Sequence, residues 1–297
     1  MNEIRRHPLR GVLMVLAAAL CWGTTGTAQS FAPPTLPATW VGALRLLVSA
    51  LFFAAVVLAT RSGAGWRRLP PGPVLMAGLA MAAYNLAFFA GVRATGVAVG
   101  TAVALGSGPI WAGLLQALRG QRPPLRWWAG TVLAVAGGVL MVGGGGTGAQ
   151  PLSAAGVGLC LLAGLSYALY ALVNARLVAS AAPSLVTLAV FGLAAAVALP
   201  AAALMAGPVA LTARDLAIAA WLGVVATGVA YLLFSHALRH VSGATGVTLA
   251  LAEPVTAFVL AVLVVGERPG AAAVGGGLLV LAGLGVVVWA ELRSRPA

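Results

Sequence analysis

The sequence predicts an all-α polytopic membrane protein of ten transmembrane helices, arranged as two inverted five-helix repeats with both termini inside. Three observations predict it. Of the 297 residues, 61% are hydrophobic and only 7% charged, with a mean hydropathy of +1.04, whereas a soluble domain would be roughly a quarter charged. Too little polar surface remains to coat a globule, so lipid must solvate much of the chain. The chain also divides into ten apolar runs of about 20 residues, the length that crosses a bilayer. Finally, the second half repeats the first at an offset of 145–146 residues.

Taken in order, the runs fall near 11–30, 37–59, 73–92, 97–118, 126–144, 154–175, 184–206, 215–238, 242–265 and 271–290. The first follows Arg5 and Arg6 as a signal peptide would. Its apolar stretch is too long for one, however, and Trp22 and Thr25 interrupt the place of a cleavage site. Breakers mark the joins: Pro33, Pro34 and Pro37 before run 2, Pro70, Pro71 and Pro73 before run 3, and Pro123 and Pro124 before run 5. Pro151, Pro183, Pro208 and Pro269 precede runs 6, 7, 8 and 10 in the same way. Only Pro109, Pro200 and Pro254 lie clearly within spans. The four glycines at 143–146 read as a flexible external link between the halves. Gly130, Ala134 and Gly138 in run 5, Gly156, Cys160 and Gly164 in run 6, and the small residues of 271–277 predict close helix packing.

Arginine sidedness tests the count. With the N-terminus inside, thirteen arginines fall on the inner side and three, Arg93, Arg214 and Arg268, on the outer; Arg45 alone stands within a span. An error of one helix would scramble this bias, which the positive-inside rule requires. The net charge of +12 is therefore a topology signal rather than a nucleic-acid footprint.

The repeat divides the chain into 1–149 and 150–297. An offset of 145 lays Gly11 on Gly156, Trp22 on Tyr167, Thr25 on Tyr170, Gln29 on Asn174 and Pro109 on Pro254. An offset of 146 lays Phe88 on Phe234, Arg93 on Arg239, and Gly120-Gln121-Arg122-Pro123 on Gly266-Glu267-Arg268-Pro269. Five spans per half is an odd number, so the second half enters the membrane upside down. Inverted repeats of this kind build a site near the midplane between them.

Cys21-Trp22-Gly23-Thr24-Thr25 in helix 1, Arg45 in helix 2, Glu253-Pro254 in helix 9 and Gly266-Glu267-Arg268 after it resemble the EamA family of the drug/metabolite transporter superfamily. The resemblance covers nearly the whole chain, once per half. It implies a ten-helix carrier with a central cavity lined by helices 1, 3, 4, 6, 8 and 9, and an exporter of amino acids or related metabolites. The first half departs from the pattern, with Gly108-Pro109 and Gly120-Gln121 where the second half carries Glu253-Pro254 and Gly266-Glu267, so a symmetric pair of carboxylates is not expected.

Trp22, Thr25 and Gln29 share one helix face by their spacing, and Tyr167, Tyr170 and Asn174 repeat it in the other half. Such faces suit a shared pocket or interhelix packing. Helix 3 adds Tyr84, Asn85 and Phe88, helix 4 Ser107 and Trp111, helix 8 Tyr231 and Phe234, and helix 9 Thr248, completing the candidate substrate-binding set. Asn85 fits either a wet cavity or an interhelical hydrogen bond. Glu253, the one carboxylate deep within a span, is a candidate for coupling or for a structural ion pair with Arg45. His236 near the inner end of helix 8 reads as an interfacial residue.

Other classes are excluded by what is missing. The chain has no Lys, hence no Walker-A loop and no Schiff-base lysine. Ser107 lacks the Gly-x-Ser-Gly setting of an intramembrane protease, because Leu105 stands at the first glycine, and there is no His-Glu-x-x-His. Cys21 and Cys160 sit in apolar runs without metal-ligand neighbours. The expectation is a non-enzymatic carrier of the inner (cytoplasmic) membrane. It has no cofactor, metal or nucleic-acid partner, and its partners are the lipid bilayer and a small substrate. Aromatic or bulky apolar amino acids suit the ring-rich set; a passive channel or uniporter, or an exporter of drugs or other metabolites, is the alternative. The sequence leaves the oligomeric state open, a monomer included.

Overall fold

A computed structural model describes residues 7–30, 36–143, 153–266 and 270–293. The glycines at 144–146, the Glu267-Arg268-Pro269 segment and the side chain of Gln29 lie outside the described residues. The described residues form ten long helices: α1 Pro8–Ser30, α2 Ala38–Thr60, α3 Pro71–Thr95, α4 Val97–Leu118, α5 Leu125–Gly143, α6 Ala154–Ser180, α7 Pro183–Ala206, α8 Ala213–Ala237, α9 Gly243–Val264 and α10 Ala271–Arg293. Among the described residues, nine of them are long and apolar enough to cross a membrane, and α5 carries a shorter apolar stretch, Leu125–Met141. No strand occurs there, because isolated helices satisfy every backbone group within lipid.

Local chemistry sets the ends. Pro70 and Pro71 open α3, and Pro183 opens α7, where a missing N–H costs nothing. Ser153 accepts from Gly156 N to cap α6, and Ser242 accepts from Thr245 N to cap α9. Thr212 and Asp215 form a capping box at the start of α8. A single residue, Gly96, joins α3 to α4 at φ +83°, ψ 154°, a conformation open almost only to glycine.

The helix pairings come in couples related by exchange of the halves. α1 packs on α8 and α9, and α6 packs on α3 and α4; α2 packs on α7, and α5 on α10. Small residues permit the closest approaches. A Cβ on Gly11 would strike His240 and Val241 at 2.8 Å, and one on its repeat partner Gly156 would strike Ala94 at the same distance. Between α5 and α10, a Cβ on Gly137 would meet Val280 N at 2.6 Å and one on Gly130 would meet Gly283 O at 2.8 Å. Gly138, expected from spacing to share this face, has nothing within 4 Å; the contact is made by Gly137 beside the fully buried Ala134.

Two helices are irregular where they approach the centre. α8 widens into a π segment, Val224–Val229, a distortion common at functional sites. α9 breaks after Leu249 and restarts at Ala252. Pro254 has no N–H to offer the carbonyl of Ala250 one turn back. That carbonyl accepts from Glu253 N at 2.9 Å instead, while Leu251 N donates to Thr248 O at 3.0 Å. α4 passes through Pro109 without such a break.

Candidate functional site

A cavity lies between the two halves. Trp22 and Thr25 face it from α1, Arg45 from α2, Tyr84 and Phe88 from α3, Leu105 from α4 and Tyr167 from α6. Ala226 and Tyr231 complete one wall from α8, and Val247, Ala250, Leu251 and Glu253 another from α9. It encloses about 70 Å³ in which the centre of a water molecule fits, room for several waters.

The wall is an aromatic network that ties the repeats together. The Trp22 ring meets Tyr231 at 5.1 Å and Tyr167 at 6.5 Å, both edge-on, and Tyr84 meets Tyr167 at 5.4 Å. Edge-on pairs bring the positive rim of one ring to the negative face of the next, worth about 0.5–1.5 kcal/mol each beyond their area. The indole N–H of Trp22 is buried with no acceptor among the described residues.

Among the described residues, only two charged side chains line this space. Glu253 stands on the first turn of the restarted α9 segment, so the proline-induced break is what sets its carboxylate on the cavity wall. Arg45 Nε donates to Asn85 Oδ1 at 3.1 Å, and Asn85 Nδ2 in turn donates to Met81 O at 3.0 Å. The guanidinium also lies 5.7 Å from the centre of the Phe89 ring, within cation–π range. Among the described residues, Arg45 and Glu253 share the cavity without direct contact.

The structure thus brings Trp22, Thr25, Arg45, Tyr84, Phe88, Tyr167, Tyr231 and Glu253 to one space. Six of the sequence-predicted residues stand elsewhere. Tyr170 and Phe234 are fully buried behind the wall, Tyr170 against Phe191 and Phe234 against Trp22 and Tyr167. Asn85, 2% exposed, serves as the bridge that holds Arg45 between α2 and α3. Ser107 packs against Gly164 and bonds Ala104 O. Thr248 is fully buried, bonded to Ala244 O and facing Thr131 on α5. Trp111 is half-buried against the core. Leu105, Ala226, Val247, Ala250 and Leu251 were not legible as lining residues, since aliphatic side chains carry no polar signal. A signal did exist for Ala250: it lies four residues before Pro254, the position whose carbonyl a proline releases.

Comparison with known proteins bears on the family and the fold. A profile of the EamA-like transporter family matches residues 9–143 and again 154–289. The chain is 37% identical over 289 residues to an uncharacterized transporter of Bacillus subtilis (strain 168), YwfM, covering 96% of each protein. A solved crystal structure superposes with a TM-score of 0.83 at 22% identity, covering 97% of this chain and 100% of the other, a likeness of fold.

Proposed function

The chain belongs to the EamA-like transporter family, and from that premise we propose that it exports aromatic or bulky apolar amino acids by alternating access at the cavity between its repeats. It is a multi-pass membrane protein, and the reading places it in the inner (cytoplasmic) membrane. The observation that carries the substrate class is the pairing of Glu253 and Arg45, one acid and one base in the same cavity without mutual contact. A zwitterion offers an ammonium to the carboxylate and a carboxylate to the guanidinium. Binding it would give each of these membrane-buried charges a partner of opposite sign in direct contact. The rings of Trp22, Tyr84, Tyr167 and Tyr231 then suit an apolar or aromatic side chain. A single charge of each sign is a poor match for multiply charged substrates such as sugar phosphates.

The cavity is walled by both repeats, so loading and release require the repeats to rock apart, as alternating access demands. Counterflow in liposomes tests the proposal. Labelled phenylalanine should enter vesicles several-fold faster when they are preloaded with unlabelled phenylalanine, because an alternating site returns loaded. Equal rates with and without preloading would identify a channel or pore. Competition by other metabolites or cationic drugs but by no amino acid would overturn the substrate class.

A further inference from the structure

A second open space lies at the inner ends of α2, α6, α7 and α8. It is a groove of about 650 Å³ in the same measure as the cavity, bounded by Thr60, Ser62, Ser184, His236 and Arg239, with Val56 and Leu232 on its apolar side. A partition of rings divides it from the central cavity: Phe53 meets Phe191 at 5.3 Å, and Phe191 meets Tyr231 at 4.7 Å. Tyr231 lines the cavity and the next residue, Leu232, lines the groove.

The donors and acceptors in this groove can be counted. Each hydroxyl has one proton. Thr60 donates its own to Val56 O at 2.7 Å, so the 3.0 Å contact between Ser62 and Thr60 is donated by Ser62. The 3.0 Å contact between Ser184 and Ser62 is then donated by Ser184. The chain of hydroxyls has committed its protons and presents lone pairs. His236 Nδ1 lies 2.8 Å from Leu232 O, a group that only accepts. Nδ1 therefore carries the proton, and in the neutral ring Nε2 is a further acceptor. Arg239 is the exception: Nε donates to Val178 O at 2.8 Å and Nη2 to Ala181 O at 2.7 Å. These neutral acceptors fix the guanidinium without neutralising it. Among the described residues no acidic side chain lines the groove, and the N-terminus of α7 adds the positive end of its dipole.

A ligand that satisfies this set has an anion for Arg239 and hydroxyl donors for the surrounding lone pairs. We infer that the groove is a binding site for a phosphate ester bearing free hydroxyl groups. The inner-side arginine bias places it at the cytoplasmic membrane surface, so such an ester can be a polyol lipid headgroup or a soluble polyol phosphate. The site is separate from the proposed substrate cavity and does not depend on what that cavity carries.

The test uses the purified full-length protein in neutral detergent, with thermal unfolding followed by tryptophan fluorescence. The probes are dihexanoyl phosphatidylglycerol, glycerol 3-phosphate and, as the hydroxyl-free control, dihexanoyl phosphatidylcholine. Saturable stabilisation by phosphatidylglycerol alone assigns a lipid headgroup; stabilisation by glycerol phosphate as well assigns a soluble ester, and either result supports the site. Arg239→Gln should weaken the stabilising probe by about tenfold or more, the scale of a lost charge-assisted hydrogen bond. Because Arg239 also holds the last carbonyls of α6, His236→Phe is the second variant; it leaves those contacts intact, removes an acceptor and should weaken binding similarly. Stabilisation by neither ester, equal stabilisation by phosphatidylcholine, or unchanged binding in His236→Phe would overturn the inference.

Discussion

At Glu253 a carboxylate faces the cavity with no hydrogen-bond donor among the described residues, while the cation lining the same space is committed to Asn85. Breaking a buried contact pair typically costs about 3–5 kcal/mol, but here there is no contact to break. Glu253→Gln is therefore expected to keep the wild-type yield of folded protein and to weaken amino-acid competition by about tenfold or more, the loss of one charge-assisted bond. Folded yield by size-exclusion chromatography and competition in vesicles separate the two effects. A collapse in yield restored by adding Arg45→Gln would instead make the two a structural pair. Trp22 needs a gentler change, because it is 5% exposed and touches Tyr167, Tyr231 and Phe234. Truncating such a ring to Ala costs about 3–5 kcal/mol and would confound packing with binding. Trp22→Phe should fold and weaken transport, and transport equal to wild type would remove Trp22 from the substrate wall. The sequence marks these rings but cannot rank them. Tyr167 and Tyr170 stand three residues apart, about 60° around a helix. That rotation carries one to the cavity and the other into the seam with α7 and α8, where it meets Phe191 and Tyr231 at 6.0 and 5.8 Å.

Among the elements, α5 and α10 pack with glycine backbones in contact, so one residue of register separates a critical position from a neutral one. A Cβ on Gly137 would strike backbone atoms of α10 at 2.6–2.7 Å, and one on Gly276 would strike Met141 N. Backbone cannot swing aside as a side chain can. Gly137→Val should lower stability by about 1–3 kcal/mol, the usual cost of overpacking. Gly138→Ala, with open space around it, should be neutral or slightly stabilising. Thermal unfolding of both variants in detergent checks this, and equal destabilisation would mean that the face is wrongly assigned. Span boundaries were legible because prolines and arginines mark them: the run expected from 184 starts at Pro183 and the one expected from 97 at Val97. The break in α9 was half-legible, since Pro254 announces a freed carbonyl but not that two residues leave the helix. The π segment of α8 had no legible cause, because its residues, Val224 to Val229, are ordinary for a membrane helix. Within it Gly228 packs closely against Phe52 of α2.

For the whole molecule, the offset of the repeat foretold both the ten-helix count and the central cavity, because an odd number of spans per half inverts the second copy. Arginine sidedness adds that both termini face the cytoplasm; protease added to intact cells should spare a tag at either end, and cleavage of one alone would break the count. What the offset could not reveal is how deeply the halves interlock. α1 finds its main partners in α8 and α9, α6 finds its own in α3 and α4, and α2–α7 and α5–α10 also cross the divide. Helix association in lipid rests on close packing of small residues, and the close contacts of Gly137 with Val280 and of Gly11 with His240 join opposite halves. Each half alone would thus expose those glycine faces and half of the cavity wall. Expressed separately, 1–149 and 150–297 should give aggregated or protease-sensitive material. Expressed together as two chains, they should co-purify and recover transport at reduced yield, because losing the covalent link lowers the effective concentration of one half for the other. A half that purified alone as a monodisperse, protease-resistant species would mean that contacts within a repeat, rather than across the repeats, hold the fold together.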